Sequence, residues 1–166
     1  GVAVSLANQG WVALHQANTP RAAELARHSV RVCHLLGERE VLAECLEILA
    51  AAAALEGDAG RAVELSGAST ALWEALHVTR PPTHQAVTCH GQAMMAMQQR
   101  DADALTAALR QGRAMRLDTL VAFALDCGGA PARGSSAPSH RAELRHLLPQ
   151  PAAGGRESQY DGGQTR

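Results

Sequence analysis

The sequence predicts an all-α fold: about three stacked helical hairpins with a closing helix. Three observations carry this reading. RAAEL at residues 21–25 returns as RAVEL at 61–65, an offset of 61 − 21 = 40, and the same offset brings Ala13 onto Ala53 and Ser29 onto Ser69. A fixed period of roughly 20–50 residues is the mark of stacked supersecondary units. Composition agrees: 46% of residues are hydrophobic but only 2% aromatic, with alanine abundant. Alanine has the highest helix propensity, whereas strands favour β-branched and aromatic residues. Small residues also recur at helical spacing in both halves of each period.

In the first half-period Leu6, Gly10, Ala13 and Ala17 follow the i, i+4, i+7, i+11 rule, giving one narrow face. Asn18-Thr19-Pro20 breaks the pattern; Thr19 is the expected cap of the next helix, and Pro20 fits its first turn, where a missing N–H costs nothing. Ala22, Ala26, Ser29 and Cys33 then form a second small face, so the two helices specify an antiparallel hairpin with closely approaching backbones. The next hairpin repeats the pattern with Leu46, Ala50, Ala53 and Gly57, a turn at Gly57-Asp58, and Ala62, Ser66, Ser69 and Trp73. A third, worn copy follows Pro81-Pro82-Thr83 with Ala86, His90, Ala93 and Met97, and its partner helix needs about two extra residues to place Ala104 and Ala108. Leu117–Leu125 reads as a short helix closing the stack.

Two regions are expected: a helical repeat domain over 1–126 and a disordered tail over 127–166, which is studded with Gly, Pro and Ser. Only Arg141–Leu148 in the tail could make a helical turn or two, and its RAEL at 141–144 lacks the surrounding small-residue pattern. The chain begins at Gly1 rather than Met, from which a fragment of a longer protein is expected.

All 15 basic residues are Arg, and a net charge of −1 offers no electrostatic footprint for nucleic acid or an anionic membrane. No stretch approaches the roughly 18 apolar residues of a membrane span, and the amino terminus lacks a basic signal-peptide n-region, so a cytoplasmic setting is expected.

Catalytic and metal readings find little support. A Walker A loop needs a Lys, and the chain has none; G-x-S-x-G and H-E-x-x-H are also missing. The cysteines, Cys33, Cys45, Cys89 and Cys127, have no C-x-x-C spacing and read as buried thiols. His28-x4-Cys33-His34 and His84-x4-Cys89-His90 suggest a metal or a Cys/His hydrolase, but helical residues five and six apart point about 140° and 240° from the first, not to one face. No enzyme, cofactor or metal is therefore expected. Glu38, Glu40, Glu44 and Glu47 read as a solvated helix face, Arg110, Arg113 and Arg116 as a polar face near a helix end, and Arg21 and Arg61 as exposed residues at the starts of equivalent helices.

Gly10 and Ala13, turns at 17–18 and 57–58, then Ala22 or Ala62, resemble tetratricopeptide repeats of a long-period variety. More specifically, GWVALHQANTPRAAELARHSVRVCHLLGE, AECLEILAAAAALEGDAGRAVELSGASTALWEAL and GRAMRLDTLVAFAL resemble the carboxy-terminal helical region of large bacterial transcriptional regulators. In those proteins a signal-transduction NTPase is joined to a LuxR-type or winged-helix DNA-binding domain. The resemblance covers residues 1 to about 126; it departs at Ala26 and Ser66, where a large residue is usual, and no LuxR-type helix-turn-helix follows residue 126.

The resemblance implies a right-handed superhelix whose concave wall is formed by the first helix of each unit. It would present Val4, Ala7, Trp11, Leu14 and His15 in unit one, Glu44, Glu47, Ala51, Ala54 and Leu55 in unit two, and His84, Val87, Gly91, Met94 and Met95 in unit three. Such a wall suits a peptide, a helix or a small effector, or docks upstream domains of the same polypeptide. The implied function is non-catalytic interaction or effector sensing within a regulator, with no direct nucleic-acid contact from this segment; a free-standing adaptor for a partner peptide is the alternative.

Overall fold

The computed structural model describes residues 1–78 and 84–126, with the backbone alone over 84–90. These residues form seven α-helices and no strand: α1 (Val2–His15), α2 (Thr19–Leu36), α3 (Arg39–Glu56), α4 (Ala59–Leu76), α5 (His84–Arg100), α6 (Ala102–Ala114) and α7 (Leu117–Leu125). The expected all-helical fold is observed. The Pro81-Pro82-Thr83 stretch and the tail boundary at 127 lie outside the described residues.

The offset of 40 is written into the backbone. Asn18 caps α2 by accepting the Arg21 N–H through Oδ1 at 3.3 Å, and Asp58 caps α4 by accepting the Arg61 N–H at 3.0 Å. Thr19, the expected cap, is instead the first residue of α2. Left-handed residues stand at equivalent points: Ala17 and Gly57 between the helices of a hairpin, Gly37 and His77 after it. Ala17 and Gly57 therefore belong to turns rather than to helical faces.

Close packing follows from the small residues. In the first hairpin α1 lies on α2, and in the second α3 lies on α4; α3 also fills the angle between α2 and α1. A Cβ on Gly10 would stand 3.2 Å from Ile48 Cδ1 and 3.6 Å from the Ala22 carbonyl oxygen. The main core joins Leu14, Leu25, Val30, Leu42, Leu46, Ile48 and Leu65, all buried, from α1 to α4.

The third unit breaks the repeat. Its second helix, α6, packs chiefly on α4 and only lightly on its own hairpin partner α5. A Cβ on Gly67 would lie 2.7 Å from the Leu109 carbonyl oxygen, and one on Gly112 would collide with the carbonyl of Glu64. Asp101 caps α6 by accepting the Ala104 N–H at 2.9 Å.

The closing helix does not sit beyond α6. It folds back to pack on α2, and Leu120, Val121 and Ala124 join the main core rather than the cluster shared by α4 and α6. Arg61 fastens its far end, donating from Nη2 to the carbonyl oxygens of Phe123 and Asp126, each at 2.7 Å, with its guanidinium 4.6 Å from the Phe123 ring centroid. Arg61 and Arg21 are thus not equivalent exposed residues. Arg21 pairs with Glu24 at 2.8 Å on the open surface, whereas Arg61 is half-buried under α7.

Candidate interaction surfaces

The positions expected to line a concave wall differ in their exposure. His15 and Met95 are exposed, Val4 is exposed, and Trp11, Leu55 and Ala54 are half-buried, Trp11 and Leu55 against the main core. Met94 is half-buried against the cluster between α4 and α6. Leu14, Ala7 and Ala51 are buried in the core and are not available to a partner, because α1 and α3 turn these positions towards the second helices. The side chains of His84 and Val87 lie outside the described residues.

Glu47 is also corrected: it is a core carboxylate, not part of a solvated face. It is 6% exposed, and its Oε1 accepts from Trp73 Nε1 at 2.9 Å and from Ser69 Oγ at 3.3 Å. A buried carboxylate requires such donors, since desolvation without them is costly. Glu44 is half-buried; burial foremost, then the charges of Glu47 and Glu40, hold its carboxyl above the usual range. Burial likewise raises Glu64, with Asp58 adding to the shift and Arg61 opposing it.

On α2 the cysteine and the two histidines do not converge. Cys33 is buried while His28 and His34 are exposed, in line with their different angles around α2. Cys45 is buried beside Cys33; the hydrogen bond between the two thiols, and then burial, push the Cys45 thiol up and keep it protonated. Among the described residues no three His, Cys, Asp or Glu side chains are grouped to hold a metal ion, and no helix is long and apolar enough to cross a membrane. Cys89 and Cys127 lie outside the described side chains.

A surface of which the sequence reading named only Val4 lies on the first hairpin. Val4, Ser5, Asn8, Gln9 and Val12 of α1, Gln16 just after it, and Arg21 and Leu25 of α2 line an open groove of about 570 Å³. Its origin is visible when the units are aligned. Leu42, Cys45, Ile48, Leu49 and Ala52 of α3 are buried, because the preceding hairpin covers them; their counterparts Val2, Ser5, Asn8, Gln9 and Val12 are exposed. The signal was present in the sequence as polar Ser5, Asn8 and Gln9 standing where the second unit has Cys45, Ile48 and Leu49.

No protein-family model, curated protein or solved structure matches the chain.

Proposed function

We propose that the chain is a non-catalytic interaction segment, part of a multidomain bacterial transcriptional regulator working in the cytoplasm, and that the face of α1 receives a helix from the preceding part of the same polypeptide. The observation that carries this is the uncovered row Val2, Ser5, Asn8, Gln9 and Val12, whose counterparts in α3 are all beneath a neighbouring hairpin. Its mixed character, valines between amides, suits a helix seat that is partly polar, as inter-domain contacts are. His15, Leu55 and Met95, 40 residues apart in the first helices of the three units, are offered as a second contact row for a peptide or effector.

The test is a longer chain that includes the coding sequence preceding Gly1. Maleimide labelling of Ser5→Cys and Gln9→Cys should slow in the longer chain relative to residues 1–166, and that sequence should encode an NTPase module with a Lys-bearing phosphate loop. An in-frame start directly before Gly1 would favour a free-standing adaptor instead. A longer chain with unchanged labelling would overturn the docking reading.

A further inference from the structure

We infer that the seat of α7 on α2, closed by Arg61 of α4, is also an interaction surface for a second copy of this chain, which supplies its own α7 in exchange. The seat is built mainly by α2, against which α7 packs with Leu120, Val121 and Ala124 buried in the main core, while α4 reaches it through Arg61. The polar anchor is indifferent to whose helix it holds. Arg61 grips the backbone carbonyls of Phe123 and Asp126, which any copy of α7 presents alike.

The hinge supplies the reason for exchange. Only Met115 and Arg116 separate α6 from α7, and both are extended, with ψ of 129° and 151°. Yet Ala114, Met115, Arg116 and Leu117 are all strong helix formers, and the hinge holds neither Gly nor Pro. Local preference therefore opposes the bend that the fold imposes. The packed face of α6 also continues through it, since Ala108, Gly112 and Met115 stand at i, i+4 and i+7. If the hinge becomes helical, α6 and α7 form one rod of about 36 Å at 1.5 Å per residue, and α7 leaves its own seat. Two copies then fill each other's seats, regaining every contact of α7 and relaxing both hinges. Short hinges of this kind favour domain swapping, and lengthening them suppresses it.

The test is light scattering of the full chain across a concentration series, with two variants. Arg116→Pro preserves the bent hinge, because proline matches the φ of −71° at Arg116 and keeps Met115 extended, but it forbids a continuous helix. Inserting Gly-Ser-Gly between Met115 and Arg116 removes the conflict without proline. Wild type should double in mass as concentration rises, while both variants keep the monomer mass with unchanged helical circular dichroism. A wild type that stays monomeric throughout, or variants that dimerise as readily as wild type, would overturn the proposal.

Discussion

Ser29 and Ser69 occupy the same place in successive hairpins: each donates a buried hydrogen bond to the carbonyl oxygen 26 residues earlier, of Ala3 at 2.8 Å and of Ala43 at 3.1 Å. The bond ties the second helix of a hairpin to the start of the first. It explains why a small hydroxyl, rather than another alanine, recurs on the packed face. Ser69 shares its single hydroxyl proton between the Ala43 carbonyl and Glu47 Oε1, a task that Ser29 lacks because Ala7 stands at the counterpart position. Ser29→Ala should cost about 1 kcal/mol, the usual net contribution of one hydrogen bond, and Ser69→Ala more, because it also takes a donor from a buried carboxylate. Urea midpoints at constant slope measure both; equal losses would mean that the Ser69 contact with Glu47 contributes nothing.

The two arginines of the repeated pentapeptide should separate sharply. Arg21→Ala removes an exposed ion pair with Glu24 and should stay within about 0.5 kcal/mol of wild type. Arg61→Ala removes two charge-assisted bonds and a ring contact at α7, for a loss of about 1.5–3 kcal/mol. Thermal unfolding of the two variants side by side checks the order.

Gly112→Ala should be among the most damaging single changes, since its Cβ would overlap the Glu64 carbonyl and force α4 and α6 apart, at about 1–3 kcal/mol or more. Gly60→Ala is the control. Its Cβ would meet only Asp58 Oδ1 at 3.8 Å, so replacing a helical glycine there should stabilise by about 0.5–1 kcal/mol. Unfolding midpoints of opposite sign are expected.

Ala17 holds a left-handed conformation, φ 56°, where its counterpart in the second unit is Gly57, φ 87°. Ala17→Gly should remove a penalty of roughly 1 kcal/mol for a side chain in that region, while Gly57→Ala should introduce one. Calorimetric midpoints moving in the same direction would contradict this reading of the turn.

Glu44 gives a pH dependence of definite sign. Its carboxyl is raised in the folded chain by burial, then by Glu47 and Glu40. The fold therefore binds that proton more tightly than the unfolded chain does. Its contribution is present below the unfolded pKa and is lost as pH rises through the folded value. Glu44→Gln should be more stable than wild type at neutral pH, and the advantage should disappear as the pH falls into the carboxylate range. Denaturant titrations of both chains across that span measure it; an advantage that grows on acidification would reverse the assignment.

The sequence by itself determined the hairpins and their period, because these rest on short-range rules. Residues three and four apart share a helix face, and the small residues of α1 to α4 allow their backbones to meet; the cap of α2 reads one residue late, at Thr19 instead of Asn18, because either side chain can accept a first-turn N–H. What covers each face is a different matter, decided by residues far along the chain. Leu14 reads as wall but is core, and Glu47 reads as solvated but is held by Ser69 and Trp73, 22 and 26 residues away. The seat of α7 was the least legible. Arg61 reaches it across 62 and 65 residues and binds backbone carbonyls, which have no residue type to reveal them, and the bend at Met115 and Arg116 runs against local helix preference. Only tertiary packing could choose it, because burying Leu120, Val121 and Ala124 in the main core against α2 outweighs the helical continuation that the hinge would adopt alone.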